Sequence, residues 1–205
     1  MELGVQHTLV WNAKENMKMR RYKIATIVGS NRRESINRRL AQALIGLGES
    51  ERFEFELVRI DDLPMYNSDL ETARPAAVVR FVNEVDVADA ALFVTPEHNR
   101  SIPAVLKNAL DWGSKPIERN VWKGKPVAIT GTSPGAIGTA VGQQHLRQIL
   151  GILGSLVMGG EAYISFRPDL IGSDSNISNE GTREFLRQYL AEFLSLVSTL
   201  LPAAE

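Results

Sequence analysis

The chain has 205 residues, 44% of them hydrophobic, with 23 basic and 24 acidic side chains and no cysteine. That length suits one domain with a sizeable core. A net charge of −1 argues against general nucleic-acid binding, and the lack of cysteine excludes disulfides, thiolate metal sites and cysteine nucleophiles.

Residues 1–21 develop no periodic apolar face: Leu9 and Trp11 are isolated, and Lys14, Lys18, Arg20 and Arg21 crowd the end. The segment reads as a flexible extension, with Met17 or Met19 as an alternative start, and it lacks the apolar stretch of a secretory signal. No run anywhere approaches the roughly 20 apolar residues of a membrane span, so a cytoplasmic protein with no membrane partner is expected.

From Tyr22 onward, short apolar runs alternate with amphipathic stretches. Ile24 to Val28 is a β-branched run ending at Gly29, as a strand covered on both faces should be. Ile36, Leu40, Ala43, Leu44 and Leu47 follow helical spacing, closed by Gly48. Phe53 to Ile60 reads as a second strand with Phe53, Phe55 and Leu57 on one face, and a loop over 61–75 leads to a helix marked by Val78, Phe81, Val82 and Val85. Ala90 to Thr95 is a third strand, apolar nearly throughout. Ser101 can cap the next helix, with Pro103 in its first turn and Val105, Leu106, Ala109 and Leu110 as its buried face. Val127 to Thr130 is a fourth strand between Pro126 and Gly131, followed by a helix on Leu146, Ile149, Leu150 and Leu153. A fifth strand lies near Ala162 to Ile164 or slightly earlier, its start blurred by Gly159 and Gly160. Phe185, Leu186, Tyr189, Leu190, Phe193, Leu194 and Val197 make the last helix.

Five β-α repeats indicate one α/β domain over 22–205, a parallel sheet with helices on both faces. Right-handed crossovers leave few topologies, of which the flavodoxin-like three-layer sandwich with strand order 2-1-3-4-5 is one. Ligands of such sheets bind outside the carboxyl ends of the strands.

Three loops fall on that edge. The first, Gly29 to Asn37, offers Ser30, Ser35 and Asn37 as hydrogen-bond donors and Arg32 or Arg33 as charge, ahead of a helix N-terminus. It is either an anion site or an ordinary strand-to-helix loop with a serine cap and solvated arginines. It is neither a Walker-type loop nor a Gly-x-Gly-x-x-Gly turn. The second, Pro96-Glu97-His98-Asn99-Arg100-Ser101, could lie along the edge of a planar ring or be a plain turn. The third carries Gly131, Gly135 and Gly138, which allow close backbone approach to a ligand or simply serve tight turns. Together they leave a phosphate seat and two walls for a flat group, a description that flavin mononucleotide (FMN) fits.

At these residues the sequence resembles the NADPH-dependent FMN reductase family, flavodoxin-like enzymes that include chromate, quinone and azo reductase-type members. The matching stretches are Gly29 to Asn37, Thr95 to Pro103, Leu106 to Trp112, Lys125 to Ala128, Ser133 to Gly138 and His145 to Leu150. The resemblance implies that Ser30, Arg32, Ser35 and Asn37, with the Ile36 amide, hold the FMN phosphate. It places Pro96, Glu97, His98 and Asn99 beside the isoalloxazine, Ser101 close by, and Ser133 and Gly135 on its other side. It further implies NADPH or NADH as reductant, a small-molecule acceptor such as a quinone, free flavin, azo compound or chromate, and a homodimer or homotetramer with the flavin near the subunit interface. His98 stands where the family commonly has tyrosine, and Thr139 and Val141 where glycine and arginine are frequent.

No side-chain nucleophile or metal is required, since the cofactor carries the chemistry. His98 is a candidate proton donor to the acceptor or a ring-packing residue, and His145 a structural or interface residue. Trp112 reads as core, Lys107 and Asn108 as anchors of their helix, and Asp61 and Asp62 as a solvated loop rather than a metal pair. Tyr66 and Asn67 could border the substrate opening. The non-enzyme alternatives are an FMN electron carrier with no nicotinamide site and a flavin-independent interaction module.

Overall fold

Strands whose residues are apolar at successive positions have no face to give to water, and this dictates the layers. In the computed structural model, which describes residues 20–172 and 175–202, the strands β1 (Tyr22–Val28), β3 (Ala90–Val94) and β4 (Pro126–Ser133) are almost wholly buried. Alternate residues feed two cores. Ile24, Val28, Leu92, Val94 and Ala128 face one side, covered by α1 (Ile36–Gly48) and α5 (Glu180–Leu200). Ala25, Ile27, Ala91, Phe93, Val127 and Ile129 face the other, covered by α2 (Ala76–Asp86), α3 (Ala104–Gly113) and α4 (Ala140–Ile152).

All pairings are parallel, in the order β2-β1-β3-β4-β5, with β2 spanning Phe53–Val58. The flavodoxin-like order expected from the sequence is therefore present, but its fifth position is split. Leu156–Val157 (β5) pairs with Pro126 and Val127, and Ala162–Ser165 (β6) pairs with Thr130 to Ser133. Ile129 faces the break. Its amide donates to the Tyr189 hydroxyl at 3.0 Å, and that hydroxyl donates to its carbonyl at 2.7 Å, so one side chain from α5 replaces the missing ladder rungs. Arg147 caps the carbonyls of Met158 and Gly160 at 2.6 and 2.5 Å on the other strand of the break.

Several expectations shift. Because β6 supplies ladder partners, β4 runs three residues past Thr130, and Gly131 is a strand residue rather than part of a loop. β2 ends at Val58, and Leu57 is 44% exposed, lining a cavity of about 200 Å³ with Ser30 and Arg38, whereas Phe53 and Phe55 are buried. Phe185 is 43% exposed on the outer side of α5. The helix α3 starts after Pro103 with no side-chain cap, so Ser101 is not its cap. Trp112 is fully buried and donates to the Pro64 carbonyl at 2.8 Å, as a core residue should. Of the expected extension, residues 1–19 lie outside the described residues. Arg20 and Arg21 belong to the fold: Arg20 pairs with Asp89 at 2.6 Å, and Arg21 approaches Glu54 at 3.5 Å.

Removing the Tyr189 hydroxyl leaves two buried main-chain groups unpaired. Tyr189→Phe is expected to lower the unfolding free energy by about 2–4 kcal/mol in urea titrations. Burial pushes the Tyr189 phenol above the ordinary tyrosine value. Its contribution is therefore complete below about pH 10, where the unfolded phenol titrates, and drains away as pH rises toward the folded value. The wild type should lose stability more steeply than Tyr189→Phe in that range; parallel pH profiles would contradict the assignment.

Candidate active site

β1 and β3 end level with one another at Val28 and Val94, and β4 runs on beside them to Ser133. The Gly29 amide donates to the Val94 carbonyl at 2.9 Å, and the Thr95 amide to the Thr130 carbonyl at 3.0 Å. Thr95 then sits between two glycines. A Cβ on Gly29 would lie 2.2 Å from Thr95 Oγ1, and one on Gly131 would lie 1.9 Å from the Thr95 carbonyl oxygen. Only hydrogen at both positions lets the three loops leave the sheet side by side. In the sequence this close approach shows as a threonine closing an otherwise apolar strand, with Gly29 just past β1 and Gly131 within β4 on either side of it.

In the first loop, Ser35 caps α1 by accepting the Arg38 amide at 3.2 Å, and Ser30 accepts the Arg32 amide at 3.4 Å. The first intrahelical bond runs from Arg39 to the Ser35 carbonyl, so the Ile36 and Asn37 amides precede the helical ladder. Arg32 and Arg33 are exposed and form no ion pair with the other described residues. Two hydroxyls, helix-terminal amides and unpaired guanidinium groups suit a phosphate dianion. The Asn37 side chain is different from expectation. It is buried, accepting the Thr132 amide and donating to the Thr132 carbonyl, both at 2.9 Å, so it stitches α1 to β4, while its main-chain amide precedes the helical ladder.

The second loop is a two-residue hairpin. His98 and Ser101 exchange amide-to-carbonyl bonds of 2.9 Å in both directions, and Asn99 and Arg100 between them have φ of 51° and 65°, a type I′ turn. Two side chains bolt this turn to α4. Glu97 accepts the Gly142 amide at 2.9 Å in the first turn of that helix and pairs with Arg100 at 3.3 Å. Ser101 Oγ lies 2.7 Å from His145 Nδ1, which ties the turn to that helix. Pro96 is half-buried, while His98 and Asn99 are exposed on the turn.

In the third loop, Ser133 donates to the Gly138 carbonyl at 2.6 Å and accepts the Gly135 amide at 3.3 Å, while Ser165 of β6 donates to the Gly135 carbonyl at 3.1 Å. Gly138, at φ 58°, packs on the Ile164 main chain, where a Cβ would lie 2.9 Å from it. Of Gly131, Gly135 and Gly138, which the sequence leaves open to ligand approach or to tight turns, Gly135 alone opens outward, with nothing nearer to a built Cβ than Ser133 Oγ at 3.5 Å. Ser165 ends β6, and the split of the fifth strand leaves no signal for it in the sequence.

The segment over 61–75 is held to α3. Asn108 accepts the Tyr66 amide at 2.7 Å and donates to the Pro64 carbonyl at 3.0 Å, and Tyr66 packs edge-on against Trp112. Lys107 instead pairs along its own helix with Asp111 at 2.6 Å. Asp61 and Asp62 bond to Arg59 and Arg80 at 2.6 and 2.9 Å, and the Arg59 guanidinium holds the Asp61 carboxyl below its usual range.

Comparison with known proteins places this geometry. The family model for NADPH-dependent FMN reductase matches residues 22–169. The chain is 46% identical over 176 residues, 85% of its length and 96% of the relative's, to a 2-hydroxy-1,4-benzoquinone reductase of Burkholderia sp.. It is 40% identical over 170 residues, 82% of its length and 91% of the relative's, to an NAD(P)H-dependent FMN reductase of Pseudomonas aeruginosa. The solved structure of FerB, a flavoenzyme NAD(P)H:(acceptor) oxidoreductase from Paracoccus denitrificans, superposes with a TM-score of 0.83 at 40% identity. That match covers 87% of this chain and 98% of FerB. The chain belongs to the NADPH-dependent FMN reductase family, an oxidoreductase that uses FMN as cofactor and NAD(P)H as reductant.

Proposed function

We propose that this reductase passes electrons to a small quinone, with FMN seated across the three carboxyl-edge loops. The observation that carries the reading is the unspent donor set at the start of α1, where helix-terminal amides, two hydroxyls and arginines without ion pairs to the other described residues share one loop on the same sheet edge as the outward-facing Gly135. The relatives named for benzoquinone and quinone reduction support the acceptor class over free flavin, azo compounds or chromate.

In this reading the Ser30 and Ser35 hydroxyls, the Arg32 guanidinium and the Ile36 and Asn37 amides hold the phosphate. Pro96, Glu97, His98 and Asn99 border the ring, with Ser101 beside them and Ser133 and Gly135 behind. FMN, when bound there, supplies the two-electron chemistry. The chain's task is to fix the group and present donors along its polar edge, and the rigid loop 134–138 serves that purpose. The reductase domain works as a homodimer or homotetramer in the cytoplasm. Val141, Ile152, Leu156, Tyr163 and Phe185 leave apolar surface exposed on α4, the β5–β6 edge and α5, which supports such an assembly. Among the described residues no helix is long and apolar enough to cross a membrane.

Arg32→Ala and Ser35→Ala are each expected to weaken FMN binding about tenfold or more in fluorescence titrations, the loss of one charge-assisted or capping hydrogen bond. Wild-type affinity in both variants would move the phosphate elsewhere. With NADPH or NADH as reductant, kcat/KM should be highest for 1,4-benzoquinone; a faster transfer to free FMN, an azo dye or chromate would overturn the acceptor assignment. Sedimentation of the FMN-loaded protein should give a dimer or tetramer, and a monomer would remove the assembly.

A further inference from the structure

We propose that Ser101 and His145 form a proton relay that protonates the acceptor. The inference rests on the quinone-reductase reading and deepens it. Reduction of a quinone to a hydroquinone consumes two electrons and two protons. Hydride from NAD(P)H accounts for both electrons and one proton, so one proton must be delivered to an acceptor oxygen by the protein or by water.

Three groups of the second loop are candidates to deliver it. Glu97 is committed at both carboxylate oxygens, to the Gly142 amide and to Arg100. The His98 ring is exposed and bonds to none of the described residues, so nothing orients it. Ser101 is different. Its main chain is locked by two bonds to His98, its hydroxyl is released from helix capping, and Oγ lies 2.7 Å from His145 Nδ1. A serine hydroxyl alone is a poor acid, but an imidazole bonded to it can replace its proton as it leaves. His145 is an exposed residue of α4, so its ring can exchange protons with water.

The step balances. The acceptor oxygen gains the proton of the Ser101 hydroxyl, and Oγ regains one from Nδ1–H. The imidazole takes a solvent proton at Nε2 and returns to its first tautomer by exchange with water. Ser101 is then the donor that meets the acceptor, and His145 is the residue that positions and recharges it. The Glu97–Gly142 bond keeps the turn and α4 in register while this happens.

The test uses the full-length, FMN-loaded protein and His145→Asn, which preserves a hydrogen bond to Ser101 but cannot shuttle a proton. Reoxidation of the reduced enzyme by 1,4-benzoquinone, followed by rapid mixing, should slow about 100-fold with a solvent deuterium isotope effect at least as large as the wild type's, because proton delivery then limits the step. Reoxidation by ferricyanide, which takes electrons without protons, should keep the wild-type rate. In the flavin-free protein, nitrogen NMR of the His145 ring should show Nδ1 protonated and bonded, a signature lost in Ser101→Ala. A wild-type benzoquinone rate would overturn the relay, and so would equal losses on both oxidants, which would mean that the bond only anchors the turn. A wild type that binds no FMN would sink the reductase reading itself, and the relay with it.

Discussion

The carboxyl ends of β1, β3 and β4 approach more closely than side chains would allow, and the site depends on that approach. Thr95 fills the space between Gly29 and Gly131, its hydroxyl toward one and its carbonyl toward the other. A methyl group at either glycine would meet it well inside van der Waals contact, so the strands would have to splay. The loops that follow these residues carry the phosphate-type donors, the hairpin and the outward-facing glycine. Their spacing is set in the sheet, before any ligand arrives.

From that constraint the remaining contacts follow as braces. Asn37 ties the start of α1 to the end of β4 by imitating a strand rung on Thr132. Glu97 and Ser101 tie the hairpin to α4. Ser133 and Ser165 close the third loop. Each brace is a short polar side chain bonded to main chain or to a second side chain across the edge. The arrangement is therefore held by directional bonds rather than by apolar packing alone, which suits a site that must stay preorganised. The opposite edge of β4 shows the same economy, with Tyr189 completing the ladder where the fifth strand breaks.

Much of the fold was legible because buried parallel strands and amphipathic helices leave distinct periods in the sequence. Ile24 to Val28 and Ala90 to Val94 are short, continuously apolar runs bounded by polar or turn residues, the pattern of buried parallel strands, and both are central strands. The misses share a physical cause, which is that they depend on partners distant in sequence. Leu57 follows the alternation of its strand, yet it borders an open cavity beside Arg38. Ser101 has the composition of a helix cap and spends its hydroxyl on His145, 44 residues away. Asn37 has the composition of a phosphate ligand and spends its amide on Thr132, 95 residues away. Local propensity cannot report such choices, since the competing bond is created only by the tertiary fold.

The central claim is that one edge of the sheet, through donors preset by the fold, holds the flavin phosphate and ring together. It is tested most directly by amide NMR of the flavin-free protein during addition of FMN. The account requires the largest shifts at Ile36, Asn37 and Gly135, with Glu97 to Asn99 responding and the far end of the sheet, at Tyr22 and Lys125, silent. Saturable shifts centred on the cavity beside Leu57, Arg38 and Arg59 instead would contradict it.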